Sequence, residues 1–146
     1  MNRRKFIANS CIGCMSSGLL FSILESCGAS KIVQAPISGS DMIVPLKSFI
    51  LKKGDQPTFK KHLVVYNDVL QYPVCLYRFD ENNYQALLMK CTHQGTELQV
   101  FGDRLQCPAH GSAFNSRGNV ENGPASDSLR VFPVTITNNQ LKISLK

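Results

Sequence analysis

The chain has 146 residues, which is enough for one domain with a packed core and a short additional segment. Hydrophobic residues make up 43% of the chain and charged residues 18%, which excludes an intrinsically disordered protein. The net charge of +6 comes without a long basic run or an aromatic ladder, so the sequence argues against nucleic acid as a partner. It permits only a mild preference for acidic partners.

Residues 1–27 have the organisation of an export signal. Arg3, Arg4 and Lys5 form a basic start, and residues 6–24 follow without a charge. A basic start, an apolar stretch and small residues near a cleavage point are typical of such signals. The basic start resembles the twin-arginine motif, whose pathway exports proteins that are already folded. An ordinary secretory signal with two arginines is the alternative.

The end of this segment offers two ways of attaching the chain to a membrane. Residues 24–27 resemble a lipobox, in which Cys27 becomes the lipid-modified first residue, although Glu25 departs from the usual small or apolar residue. The other way is an uncleaved anchor, since nineteen uncharged residues nearly reach the ~20 that a spanning helix needs. Several polar residues interrupt that stretch, so the sequence favours the lipoprotein. A Cys-x-x-Cys pair, Cys11 and Cys14, is interpreted as part of the signal.

Residues 28–42 are rich in small and polar residues and are predicted to form a tether. Residues 43–146 are predicted to be all-β, because short apolar runs alternate with turn signals and no sustained helical periodicity appears. Pro45 is predicted to split the first strand or to place it at an edge. The other predicted strands are residues 62–66, 73–79, 84–89, 129–136 and 141–145. The last two are predicted to close the domain as a hairpin around Asn138 and Asn139.

Two short boxes in this domain each contain one thiol and one imidazole. The first has Cys91 and His93, the second has Cys107 and His110, and thirteen residues separate the boxes. Two sulfur and two nitrogen ligands suit a tetrahedral zinc ion, or a [2Fe–2S] centre with Cys on one iron and His on the other. A zinc finger pairs Cys with Cys and His with His, whereas each box here mixes the types. The boxes therefore favour the di-iron centre, and a structural zinc module is the alternative of another class.

With the Gly-Ser that follows His110, the two boxes resemble those of the Rieske family. The resemblance implies an antiparallel β-sandwich or barrel that carries the boxes on two loops. It also implies a Rieske-type [2Fe–2S] cluster in which Cys91 and Cys107 bind the buried iron and His93 and His110 bind the outer iron. Neutral imidazoles make such a cluster easier to reduce than an all-Cys cluster, with potentials of roughly −150 to +300 mV.

The resemblance extends to residues around the cluster. Ser112 stands where high-potential relatives donate a hydrogen bond from a hydroxyl to a bridging sulfide. Those relatives have a tyrosine two residues later, where this chain has Phe114, so we expect an intermediate potential. Gly123 and Pro124, followed by Ala125, resemble the family's proline loop, which covers the cluster and limits the access of water.

Three departures separate this chain from the respiratory members of the family. Thr96 and Ala109 stand where those members have two further cysteines, which form a disulfide, so we expect no internal disulfide here. Gln94 replaces the apolar residue that helps quinol-oxidising relatives to dock near the quinol pocket. Outside the boxes, His62 is predicted to be a surface strand residue and Cys75 a buried free thiol.

The resemblance and the signal together predict a one-electron carrier, not by itself an enzyme, on the periplasmic side of the cytoplasmic membrane. Its expected partners are redox proteins, a cytochrome or a quinol-oxidising complex among them, and it would reach the membrane through a lipid or an N-terminal helix. The first alternative is the Rieske subunit of a cytochrome bc-type quinol-oxidising complex, in which His93 or His110 receives the quinol's proton. A catalytic oxygenase subunit is excluded, because its mononuclear iron needs two further His and a carboxylate and only His62 is left. A ferredoxin component of an oxygenase would leave the signal unexplained.

Overall fold

A computed structural model describes residues 32–51 and 57–146. Over these ranges the chain forms fifteen short strands and one 3₁₀ turn, which confirms the all-β prediction. The strands are Val33–Gln34 (β1), Ile37–Ser38 (β2), Asp41–Pro45 (β3), Ile50–Leu51 (β4), Thr58–Phe59 (β5), His62–Tyr66 (β6), Val74–Arg78 (β7), Tyr84–Leu88 (β8), Gln99–Phe101 (β9), Arg104–Gln106 (β10), Ala113–Asn115 (β11), Val120–Asn122 (β12), Val131–Phe132 (β13), Val134–Thr137 (β14) and Gln140–Ser144 (β15).

The strands are arranged in three main sheets and one short hairpin. A five-stranded sheet has the order β1-β6-β7-β8-β13, and two four-stranded sheets have the orders β12-β11-β10-β9 and β14-β15-β3-β2. The remaining pair, β4 and β5, forms the hairpin. Within the described ranges, all strand pairs are antiparallel except β1 with β6.

Both faces of the five-stranded sheet are buried, because successive side chains of a strand point to opposite faces. In β7, Val74 and Leu76 belong to a first core, which the sheet containing β3 and β15 completes. Cys75 and Tyr77 belong to a second core, which the β9–β12 sheet completes. The second core also contains the cysteines of both boxes, Cys91 and Cys107, so this side of the molecule supports the candidate site.

Most of the predicted strand positions are confirmed. The predicted strands at 62–66, 73–79 and 84–89 correspond to β6, β7 and β8, and β14 with β15 forms the predicted closing hairpin. Asn138 and Asn139 turn that hairpin with φ angles of 51° and 59°, a left-handed conformation that asparagine tolerates. Pro45 is followed by the 3₁₀ turn Leu46–Phe49, so the predicted break in the first strand is also confirmed.

The N-terminal part of the domain begins earlier than the composition predicted. β1 pairs with β6, β2 pairs with β3, and Ala35 between them is only 1% exposed. The predicted tether is therefore corrected for residues 33–42, where strands of two residues are too short to show a periodicity in the sequence. Residues 28–31 and the predicted export signal, with Cys27, lie outside the described residues. Among the described residues, no helix has the length and apolar character needed to cross a membrane.

Two side chains outside the boxes differ in how well they match the prediction. Cys75 is a free thiol with no exposed surface, as predicted. His62 was expected at the surface but is half-buried, with its ring centroid 6.1 Å from that of Tyr77. Burial, assisted by the positive charge of Lys60, lowers the pKa of the His62 imidazole.

Candidate metal centre

The two boxes lie on loops that share one pattern of backbone hydrogen bonds. In each loop, the N–H of the cysteine donates to the carbonyl five residues later, and the N–H of the following glycine donates back to the cysteine carbonyl. These bonds are Cys91 N–H to Thr96 O (2.8 Å), Gly95 N–H to Cys91 O (2.8 Å), Cys107 N–H to Ser112 O (2.8 Å) and Gly111 N–H to Cys107 O (3.0 Å). Gly95 and Gly111 have φ angles of +76° and +78°, a left-handed conformation that explains why glycine follows each box.

The loops present thiols and imidazoles at different depths. The first loop connects β8 to β9 and the second connects β10 to β11, so the β9–β12 sheet holds one end of the first loop and both ends of the second. Cys91 and Cys107 are 1% and 2% exposed and pack in the second core, whereas His93 and His110 are exposed. The two sulfurs therefore form an inner layer and the two imidazoles an outer layer.

The structure places the predicted ligand side chains as two pairs. The Cys91 side chain is close enough to the Cys107 thiol to help lower its pKa. The ring centroids of His93 and His110 are 5.2 Å apart, with an angle of 85° between the ring planes. The four side chains thus form a thiol pair and an imidazole pair.

The surroundings of Cys107 favour the thiolate, the form of cysteine that binds metals. Burial alone would raise the pKa of this thiol, but four hydrogen-bonding groups outweigh burial and hold the pKa below its usual value. These groups are the backbone N–H groups of Ala109 and His110 and the side chains of Cys91 and Thr96.

Thr96 influences the second box in a way that the sequence did not indicate. The sequence marked it only as the position of a missing cysteine, whereas in the structure its side chain helps to lower the pKa of the Cys107 thiol. A hydroxyl at that position was the one available signal, since a hydroxyl next to a thiolate can donate a charge-assisted hydrogen bond.

The donor set has the composition of a Rieske centre, with two thiols and two imidazoles. Within residues 32–51 and 57–146, no group of three or more His, Cys, Asp or Glu side chains surrounds one ion position. A Rieske centre takes two Cys on one iron and two His on the other. One thiol pair and one imidazole pair match this requirement.

The residues predicted to surround the cluster lie against the second box. Ser112 and Phe114 have no exposed surface. The Ser112 hydroxyl oxygen accepts a hydrogen bond from the Ala125 N–H at 3.1 Å, so its own proton is available for another acceptor. Gly123 and Pro124 are exposed and joined by a cis peptide bond, and Ala125 is buried. The predicted proline loop therefore contacts the second box directly.

Two open pockets differ in their relation to this centre. One of about 520 Å³ lies beside His93, and its wall includes the charged side chains of Lys90, Asp127 and Arg130. A larger pocket of about 620 Å³ includes Arg78 in its wall and contains none of the predicted site residues. The centre itself is thus a surface feature with an adjoining polar pocket.

Comparison with known proteins places this centre in a family. The model of the Rieske [2Fe-2S] domain family matches residues 50–133, which is more than half of the chain and includes both boxes. The chain is 33% identical over 61 residues to the cytochrome b6-f complex iron-sulfur subunit 2 of Nostoc sp. (strain PCC 7120), covering 40% of this chain and 34% of the relative. It is 41% identical over 61 residues to apoptosis-inducing factor 3 of Homo sapiens, covering 39% and 10%. The chain thus spans about a third or less of the length of these curated relatives.

Solved structures show the same fold. The cyanobacterial plasma membrane Rieske protein PetC3 from Synechocystis PCC 6803 has a TM-score of 0.50 and 23% identity, covering 57% of this chain and 86% of that one. The apo form of the quaternary ammonium Rieske monooxygenase CntA has a TM-score of 0.54 and 16% identity, covering 73% and 33%. At these identities the likeness concerns the fold alone.

Proposed function

The chain belongs to the Rieske [2Fe-2S] domain family, and on that premise we propose that it is an exported, membrane-tethered carrier of single electrons. A Rieske domain binds a [2Fe–2S] cluster, and electron transfer is the function that the family supports. One observation carries the assignment to this chain's own residues, namely the inner thiol pair below the outer imidazole pair.

Each group of residues has a separate task at this centre. Cys91 and Cys107 would hold one iron, and His93 and His110 the other. Bound there, the cluster supplies a site that accepts and releases one electron. The second core excludes water from the thiol side, while the exposed imidazoles leave the other side open to a redox partner. We propose that the chain acts as a carrier and not by itself as an enzyme.

Metal analysis and electron paramagnetic resonance (EPR) test this function. The purified full chain should be brown, contain about two irons, and give an anisotropic EPR signal on reduction. A colourless protein with about one zinc per chain would instead support the structural zinc module. That result would overturn the electron-carrier proposal.

The proposed location rests on residues 1–27. Their basic start, uncharged stretch and Cys27 support export followed by lipid attachment. In the lipoprotein, Cys27→Ser should release the protein from the membrane fraction, and mass spectrometry should find a lipid on Cys27 of the unmodified protein. An uncleaved anchor predicts that both proteins stay in the membrane with residue 1 or 2 at the N-terminus.

A subunit role in a quinol-oxidising complex is the second candidate. Its support is the similarity to relatives named as cytochrome b6-f complex iron-sulfur subunits. Gln94, exposed beside His93, counts against quinol docking, because a polar amide there would have to be desolvated. Purification in mild detergent distinguishes the two, since a subunit of such a complex should carry haem with it and a separate carrier should not.

Phe114→Tyr is expected to raise the reduction potential. Phe114 is fully buried in the second core together with Cys91 and Cys107, and the added hydroxyl would supply a donor on the sulfur side of the centre. A hydrogen bond to a ligand sulfur favours the more negative, reduced state. Redox titration of both proteins measures the change, and a potential that stays the same or falls would contradict this prediction.

Thr96→Val is expected to lower the reduction potential by about 60 mV. The change removes the hydroxyl that helps to lower the pKa of Cys107, and with it a hydrogen bond that the hydroxyl can donate to the ligand sulfur, and keeps the branched shape of the side chain. A bond that is stronger by about 1.4 kcal/mol in the reduced state corresponds to about 59 mV for a one-electron couple. Thr96→Ser keeps the hydroxyl and should stay near the wild-type potential in the same titration. Equal potentials for the Val and Ser variants would show that the hydroxyl has no influence.

A further inference from the structure

Residues 122–127, which include the predicted proline loop and which we call the brace, make hydrogen bonds to both ligand loops. On the first loop, the Thr92 hydroxyl donates to the Asp127 carbonyl at 2.7 Å. On the second loop, the Asn122 side-chain amide donates to the Gly111 carbonyl at 3.0 Å. Each contact reaches a residue that directly follows a predicted ligand, since Thr92 follows Cys91 and Gly111 follows His110.

The brace is itself fixed to the body of the domain. Ala125, in its middle, is 6% exposed and packs in the second core, and its N–H donates to the Ser112 hydroxyl. Leu129, just beyond the brace, is also buried in that core. If either ligand loop moved away from the other, its hydrogen bond to the brace would therefore break, because Ala125 holds the brace in the second core.

Nothing covalent performs this task in the described part of the chain. Cys75, Cys91 and Cys107 are free, so no disulfide joins the two loops there. Each loop is closed by its own backbone hydrogen bonds, but those bonds do not set the distance between the loops.

We propose that the brace sets the separation of the two ligand loops, and that Thr92 and Asn122 are its positioning residues. The proposal rests on the proposed function, because it assigns these residues a role towards the cluster that the loops hold. Asn122 suits the role because its amide also donates to the Gly123 carbonyl at 3.2 Å, so that one nitrogen connects the second loop to the brace.

The variants Thr92→Val and Asn122→Asp remove these donors with little change in shape. An aspartate at position 122 places a carboxylate where two carbonyl oxygens need a donor. Thr92→Ser keeps a hydroxyl and should restore wild-type behaviour. Ser126→Ala is the matched control, because Ser126 lies within the brace and bonds only to the neighbouring Asp127 side chain among its side-chain contacts in the described residues.

The experiment follows cluster release from the full chain, by loss of visible absorbance in the presence of an iron chelator. Thr92→Val and Asn122→Asp are each expected to release the cluster about tenfold faster than wild type, with a broadened EPR signal. Thr92→Ser and Ser126→Ala should release it at the wild-type rate. Unchanged release in the first two variants, or equal acceleration by Ser126→Ala, would overturn the proposal.

Hydrogen exchange of the cluster-free chain separates this proposal from the proposed function. The Gly95 and Gly111 amides, which close the two loops, are expected to exchange faster in Thr92→Val and Asn122→Asp respectively. Wild-type protein that binds no cluster would refute the function, yet the exchange rates would still decide whether the brace orders the loops. Unchanged exchange rates of the Gly95 and Gly111 amides would overturn the proposal that the brace positions the loops.

Discussion

Cys107→Ser is expected to reduce the bound iron from about two atoms per chain to almost none. A serine hydroxyl does not ionise near neutral pH, whereas the hydrogen bonds around Cys107 favour its thiolate despite burial. Loss of one inner ligand leaves its iron with a single protein donor. Iron analysis and the EPR signal of the reduced protein measure the effect together.

Cys75→Ser is the matched control for this substitution. Cys75 is also fully buried in the second core, but burial raises the pKa of its thiol to about 12. It therefore stays a neutral thiol, and it belongs to β7 and not to either ligand loop. The variant should keep its iron and EPR signal while losing about 1–3 kcal/mol of stability, because the serine hydroxyl is buried. Full iron in Cys107→Ser, or iron loss in Cys75→Ser, would contradict the ligand assignment.

The ligand set could be predicted from the sequence because its chemistry is local. Each box contains its cysteine, histidine and glycine within five residues, and the same turn geometry is repeated in both loops. The contacts that connect the boxes to the rest of the domain are different. Thr92 and Asp127 are 35 residues apart, and no motif links a single threonine to a distant carbonyl. Thr96 escaped notice for the same reason, since its partner Cys107 belongs to the other loop.

Prediction of the strands from the sequence has a similar limit. The runs that became β6, β7 and β8 are apolar enough to be recognised as strands. Their two faces are both apolar, however, so the sequence could not distinguish the face that supports the metal centre from the opposite face. The pairing of strands determines which face supports the centre, because among the described sheets only the β9–β12 sheet is connected to both ligand loops.

Leu105→Ala and Leu141→Ala are expected to lower the free energy of unfolding by similar amounts, about 2–5 kcal/mol each. Both leucines have no exposed surface, and both lie in the interior of a four-stranded sheet. They differ in the core to which they belong. Leu105 on β10 packs in the second core with Cys91 and Cys107, and Leu141 on β15 packs in the first core.

Only Leu105→Ala should therefore change the metal centre. The cavity that it leaves lies in the core that contains both cysteines, and β10 leads directly into the second loop, so the cysteines lose part of the packing that holds them. We expect faster cluster release and a shifted EPR signal in this variant, at temperatures where both variants are fully folded. Denaturant unfolding of the cluster-free chains gives the stability, and chelator-driven release gives the effect on the centre. If Leu105→Ala and Leu141→Ala lose equal stability and also release the cluster at equal rates, the two cores respond as one unit. The second core would then have no separate role in retaining the cluster.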